Sequence, residues 1–349
     1  MLIPKQTAIP SLVRVKPGAL DRIGIYADRH AFRRVRVFSS DGLLPELPAR
    51  LEAALTASGI EIVETSTVTD ASFERASASF REMPAHVDAI IGFGGGKALD
   101  MAKYVAFLAR LPYVAVPTSL SNDGFCSPQS SLTMGGRRRS LPAAVPMGVV
   151  LDTAVCLGAP EILWHSGVGD LVSKFTAVID WKIAFHTAGT PVDDFAALLS
   201  DASVHQFMAR PVRDLEGVKL LGSALLLNGI AMSICGSSRP ASGSEHLVSH
   251  ALDHLSARPR LHGLQVGVAT YLISLLQGQH TEAIAQLLTA SGFWDAVAAD
   301  PFSRAEWLAA AREAPTIKDD FVTILSTRDC LPEIERALST DPHLQRCFG

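Results

Sequence analysis

From Leu12 to Asp152 the chain alternates short apolar, β-branched runs with longer stretches of helical period. Val13–Val15, Val35–Phe38, Ile60–Val63, Ala89–Ile91, Val114–Val116 and Val149–Leu151 read as strands, with amphipathic helices over 18–30, 43–58, 71–82 and 97–109. Strands that alternate with helices predict a parallel, doubly wound sheet. After Asp152 the strand-like runs stop, and Gly158-Ala159-Pro160 breaks the chain. Helical periods then follow over 160–184, 192–209, 213–235, 241–255, 262–278 and 281–292, with shorter ones to the end. The pattern predicts an α/β Rossmann-like domain over residues 1–158 and an all-α domain over 159–349.

Within the first half, the apolar run Val87–Ile91 leads into Gly94-Gly95-Gly96-Lys97, and a helical period then places Ala98, Met101, Ala102 and Val105 on one face. Strand, glycine turn and helix in this order let backbone N–H groups and the helix dipole face an anion, which predicts a nucleotide pyrophosphate here. Lys97 and Asp100, one turn apart, add to that reading. The spacing is neither G-x-G-x-x-G, since position 97 is Lys, nor the Walker loop, since 91 and 98 are Ile and Ala. A second turn, Pro117 to Gly124, follows the next strand. It offers the hydroxyls of Thr118, Ser119 and Ser121 and the carboxylate of Asp123, with Ser127 just beyond, to ribose, nicotinamide amide or polyol groups. Ligands of such sheets bind beyond the carboxyl ends of the strands, so both turns should line one crevice. Asp41, after the second strand, would accept from a ribose hydroxyl, which favours NAD over NADP, or else start the next helix.

The composition narrows the classes. The chain has 349 residues, 48% of them hydrophobic, enough for two cores. A net charge of -4 without a long basic block argues against nucleic acid as a partner. Arg137-Arg138-Arg139 reads as the tip of a hairpin between Ser130–Met134 and Ser140–Val145. No leader-like segment stands out and no apolar stretch reaches the ~20 residues that a membrane crossing requires, so a soluble cytoplasmic protein is expected. Five scattered cysteines, none in a C-x-x-C pair, predict reduced thiols and no thiolate metal site.

Three polar groups in the helical half are hard to explain as packing. Asp170 is expected early in a helix whose face, Leu171, Phe175 and Val178, is otherwise apolar. His246 and His250 share one helix face at i and i+4, and His262 opens the next helix. One carboxylate and two or three imidazoles from separate helices suit Zn or Fe(II).

These pieces occur together in one known family order. Gly94-Gly95-Gly96-Lys97-x-x-Asp100-x-Ala102-Lys103 is followed by Pro117-Thr118-x-x-Ser121-x-Asp123-Gly124, Asp152-Thr153, Gly169-Asp170, Ser242-Gly243-Ser244-Glu245-His246-x-x-Ser249-His250 and Leu261-His262-Gly263. Over roughly its whole length the chain resembles the superfamily of iron-containing alcohol dehydrogenases, glycerol dehydrogenases and dehydroquinate synthases. Within it, the chain is most similar to the sn-glycerol-1-phosphate dehydrogenases. The resemblance implies the dehydroquinate synthase-like fold, with an active site between a nucleotide domain and a helical domain. It also implies NAD or NADP, one divalent metal (zinc before iron) on Asp170, His246 and His262, and a homo-oligomer. His250 and Asp123 are the implied catalytic groups, and the implied reaction interconverts dihydroxyacetone phosphate and glycerol-1-phosphate.

Two positions depart from the family pattern. Leu264 replaces an acid beside a metal ligand, and Lys174 stands where four-ligand relatives carry a histidine, which implies three protein ligands. Arg239, Lys174 and the Arg137 hairpin are the cationic candidates for a substrate phosphate. A carbocycle-forming phosphate lyase and a non-catalytic nucleotide binder are the rival classes.

Overall fold

The computed structural model describes residues 7–349, and the chain divides into two compact units between Ala159 and Pro160. The first unit is built on a six-stranded sheet in the order β1 (Leu12–Lys16), β8 (Gly148–Asp152), β5 (Tyr113–Pro117), β4 (Ala89–Gly94), β2 (Arg34–Ser40), β3 (Glu61–Val68). Every neighbouring pair is parallel. β4, β5 and β8 are buried along their whole length, because helices cover both faces of a parallel sheet and its central strands must be apolar throughout. The helices are α1 (Ile23–Arg29), α2 (Glu46–Thr56), α3 (Phe73–Arg81), α4 (Gly96–Ala109) and α5 (Thr153–Gly158). Asp152 caps α5 through the Ala154 and Val155 N–H groups and also accepts from Leu20 N at 3.1 Å.

The chain runs outward from β2 to β3, then returns to β4 and leaves in the other direction to β5. The boundary between β2 and β4 is therefore the topological switch point, where the carboxyl ends of the strands leave a crevice. Ser40 ends β2 and Gly94 ends β4 at this boundary.

A separate two-stranded hairpin, β6 (Gln129–Met134) and β7 (Arg137–Pro142), corrects one expectation. Its tip is Gly135-Gly136, both with positive φ as a two-residue hairpin turn requires. Arg137, Arg138 and Arg139 lie within β7, exposed and paired with Met134, Thr133 and Leu132.

The second unit is helical: α6 (Glu161–Val172), α7 (Lys174–Ala188), α8 (Asp194–Met208), α9 (Leu215–Cys235), α10 (Ser244–Leu255), α11 (His262–Gln277) and shorter helices beyond. The single helix expected over 160–184 is two, so Asp170 lies near the end of α6. The break has a local cause. The Asp170 carbonyl accepts from the Ser173 hydroxyl at 2.7 Å and the Lys174 ammonium at 2.9 Å, side chains that compete with the helical ladder.

α9 corrects a second expectation, because it is 21 residues long and contains an 18-residue window of mean hydropathy 1.7, enough by length and composition for a membrane span. Its apolar residues are interrupted by Lys219 and by Gly, Ser and Asn, which hides the stretch in the sequence. In this fold α9 packs on α8 and α6, 56% of that window is buried, and its buried Asn228 accepts from Ser203 at 2.9 Å. That is how a core helix is built.

Candidate metal centre and nucleotide crevice

At the crevice, Gly94 has φ +129°, and a Cβ there would lie 2.2 Å from the Ser40 hydroxyl. Only glycine lets β2 and β4 close this far, and the Ser40 hydroxyl then accepts from Gly95 N at 2.8 Å. Gly95 is the N-cap of α4 and offers no side chain, so the first N–H groups of the helix, from Gly96 onward, have no side-chain cap. Lys97 is exposed on that first turn. Asp41 is exposed in the turn after β2; it does not start α2, which begins at Glu46 behind Pro45. The second turn meets the first directly, through Thr118 N to Gly94 O at 3.1 Å. Thr118 is buried, while Ser119, Ser121 and Asp123 are half-buried along the turn.

Asp100 and Ser127 are placed differently from the other nucleotide-site candidates. Both are buried, and both meet the buried Lys103 ammonium at 3.4 Å. Lys103 also donates to the carbonyls of Gly124 and Gln129. Burial pushes the Asp100 carboxyl up and the Lys103 ammonium down, and their mutual attraction opposes both shifts. The cluster therefore latches the Asp123 turn onto α4 from inside.

In the helical unit the structure brings Asp170, His246 and His262 together. One donor atom from each lies within 4.8 Å of the other two, and each histidine Nε2 is 3.6 Å from Asp170 Oδ1. Zinc–ligand bonds of 2.0–2.2 Å in a tetrahedral arrangement place neighbouring donors about 3.4 Å apart, so the trio is close to ion-holding geometry. The far nitrogen of each ring is also engaged. His246 Nδ1 meets Glu245 at 3.0 Å, and His262 Nδ1 meets the Ser249 hydroxyl at 3.1 Å. Partners of this kind fix the tautomer that leaves Nε2 for a metal. Glu245 is itself held by Thr176 at 2.9 Å, and Ser249 by Gln265 at 2.9 Å. Orientation thus comes from Glu245 and Ser249, and Leu264 is buried without being needed for it. His250 is half-buried beside the trio, its ring stacked at 5.8 Å on that of His262.

The Lys174 ammonium lies 3.7 Å from Asp170 Oδ2 and donates to Ser173 and to the Ala241 carbonyl. A protonated amine has no lone pair for a metal, so Lys174 braces the carboxylate and adds no donor to the trio. Burial alone would push the Asp170 carboxyl up, but Lys174 and the two histidines outweigh it and hold it well below the usual range. Burial would likewise depress His246, yet its hydrogen bonds to Asp170 and Glu245 raise it to about 9. An entering ion must displace that proton.

Three glycines allow this convergence. A Cβ on Gly169 would lie 2.0 Å from the Gly263 carbonyl, and one on Gly263 would lie 1.8 Å from the Ser166 carbonyl. A Cβ on Gly267 would lie 2.8 Å from the Gly169 Cα, so α6 and α11 touch backbone to backbone. Asp170 and His262, each next to a contact glycine, are brought together by it.

Residues 14–160 match the profile of a family described as iron-containing alcohol dehydrogenase. The glycerol-1-phosphate dehydrogenase [NAD(P)+] of Methanothermobacter thermautotrophicus is 36% identical over 283 residues, 79% of this chain and 80% of that one. The protein of the same name from Aeropyrum pernix is 37% identical over 291 residues, covering 81% and 82%. The chain belongs to the glycerol-1-phosphate dehydrogenase family. Among solved structures, glycerol dehydrogenase from Schizosaccharomyces pombe aligns with TM-score 0.78 at 18% identity, over 98% of this chain and 92% of that one. The iron-containing alcohol dehydrogenase of Thermotoga maritima aligns with TM-score 0.67 at 16% identity, covering 95% and 98%. At these identities the likeness shows the fold, which is the dehydroquinate synthase-like one expected from the sequence.

For the glycerol-1-phosphate dehydrogenase family, sequence alone pointed to the three converging residues but left Ser40, Glu245 and Gln265 without a role. Ser249→Ala should free the His262 ring and weaken any divalent-metal binding at the trio by about 10–100-fold. Competition with a chromogenic chelator measures this, and wild-type affinity in the variant would show that Ser249 does not orient the ring.

Proposed function

We propose that this chain is a metal-dependent NAD(P)H oxidoreductase that interconverts dihydroxyacetone phosphate and sn-glycerol-1-phosphate, acting as a soluble cytoplasmic homo-oligomer. The observation that carries the reading is the Asp170–His246–His262 trio, with both histidines braced from behind and His250 alongside. Residues 1–158 are assigned to the nucleotide and 159–349 to metal and substrate.

A divalent ion, zinc before iron, is assigned to Asp170, His246 and His262; when bound it polarises a carbonyl and supports the charge that develops on its oxygen. The remaining work falls to side chains. Gly94, Gly95, Gly96 and Lys97 take the pyrophosphate at the start of α4, where uncapped N–H groups and the helix dipole favour an anion. Asp41 is assigned to the adenine ribose, and Thr118, Ser119 and Ser121 to the nicotinamide half. Asp100 and Ser127 act through Lys103, which holds the turn that presents Asp123. Asp123 is assigned to a substrate hydroxyl. His250, stacked on His262, carries a proton to or from the substrate oxygen, directly or through water.

The test follows nicotinamide absorbance with purified protein, zinc, NADH or NADPH, and dihydroxyacetone phosphate, with dihydroxyacetone and simple aldehydes as comparisons. Oxidation of the cofactor with the phosphorylated ketone in clear preference is expected. A flat trace with bound zinc and nucleotide would overturn the reading, and phosphate release without net cofactor oxidation would identify the lyase.

A further inference from the structure

The cationic candidates for a substrate phosphate have different surroundings. Lys174 is committed to Asp170, Ser173 and Ala241, and the arginines of β7 are exposed on the hairpin. Arg239 is buried, in the loop between α9 and α10. Its guanidinium lies 3.7 Å from the centre of the Phe321 ring and donates to the Val322 carbonyl at 2.6 Å. The Lys318 ammonium lies 4.1 Å from the centre of the same ring and donates to the Ser238 hydroxyl at 3.1 Å.

Among the described residues neither cation forms an ion pair. Asp180, whose field reaches Arg239, has its oxygens engaged by Ser244 N, Ile324 N and Gln277. Burial pulls Arg239 below its ordinary value, while Lys318, exposed along its side chain, is lowered by desolvation of its ammonium and by the Arg239 charge. Two like charges gathered on one ring with no carboxylate paired to either repel each other, and a dianion beside them reverses the sign of the interaction.

The loop that carries Arg239 also reaches the metal ligands. The Ala241 carbonyl, two residues on, shares the Lys174 ammonium with Asp170, and His246 stands in the first turn of α10. Consecutive Cα atoms are 3.8 Å apart, so the Cα atoms of Arg239 and Ala241 are within about 7.6 Å of each other. A substrate whose carbonyl is at the trio and whose other end is anionic is therefore matched by a cationic loop one step away.

We propose that Arg239 and Lys318, with the Ser238 hydroxyl beside them, form the site that takes the substrate's phosphate and so selects a phosphomonoester over the free ketone. This rests on the phosphorylated-ketone reading above. Arg239 also stacks on Phe321, so the test must separate recognition from packing.

Zinc-loaded wild type, Arg239→Lys, Arg239→Gln and Lys318→Gln are assayed with dihydroxyacetone phosphate and with dihydroxyacetone, and inhibition by inorganic phosphate is measured for each. Loss of a charged hydrogen bond to phosphate predicts a fall of about 10–100-fold in kcat/KM for the phosphorylated ketone in the glutamine variants. The free ketone should change less than about threefold, phosphate inhibition should weaken, and Arg239→Lys should recover part of the loss. A parallel fall for both ketones would assign the cluster to packing alone. Unchanged preference in the variants, with wild type preferring the phosphorylated ketone, would overturn this inference and leave the proposed function standing. A wild type without that preference would overturn the substrate reading, and the phosphate site with it.

Discussion

On the proposed function, His262→Ala should abolish both divalent-metal binding and turnover while leaving the protein folded. His262 is the first residue of α11, its side chain is about a quarter exposed, and it meets the Ser249 hydroxyl and the Asp170 carboxylate. Losing a proposed ligand would remove the metal's support of the developing charge, which is worth several kcal/mol. Each 1.36 kcal/mol is a factor of ten, so kcat/KM should fall at least about a thousandfold. Asp170→Asn should be as inactive but also less stable. Its carboxylate is the counter-charge of the buried Lys174 ammonium, and breaking a buried pair costs about 3–5 kcal/mol. Asp170→Asn with Lys174→Met should recover much of that stability without recovering activity. Metal content, thermal unfolding and turnover on the three variants test this together. Full activity in metal-free His262→Ala would sink the proposed role of the trio.

Gly263→Ala should also lower activity strongly, although it alters none of the three converging side chains. The new methyl would lie 1.8 Å from the Ser166 carbonyl, a backbone atom of α6 that cannot rotate away. The helices must part by roughly 1 Å or more to reach ordinary contact. Overpacking of this kind costs about 1–3 kcal/mol, and a 1 Å misplacement of a reacting group costs about a hundredfold in rate. Asp170 and His262 are on opposite sides of this contact, so zinc affinity and kcat should both drop while circular dichroism stays helical. A folded Gly263→Ala protein that binds zinc as tightly as wild type would show that the glycine contact does not set the metal geometry.

The central strands were legible because parallel strands buried on both faces must be apolar runs, as Ala89–Gly94 and Gly148–Asp152 are. The glycine turn was legible for a similar reason, since a strand that passes directly into a helix over Gly94 to Gly96 leaves few other conformations. The break at Ser173 was not legible. It arises when the Ser173 and Lys174 side chains take the Asp170 carbonyl, a choice that a helical period does not encode. The arginines of β7 were misplaced by the turn, because Gly135-Gly136 forms the tip unaided.

By itself, the sequence determined which chemistry the chain can carry: the donor types at 170, 246 and 262, the glycines at 94–96, and the hydroxyls after β5. These are local facts, since residue type sets ligand chemistry and short-range spacing sets strand, turn and helix. Only the tertiary structure decided which of these groups meet. Asp170 and His262 lie far apart along the chain and converge because Gly169, Gly263 and Gly267 let two helices touch. Asp100 and Ser127 became an internal latch around Lys103 for the same kind of reason. Direction and burial are properties of packed elements, and no single stretch of chain contains them.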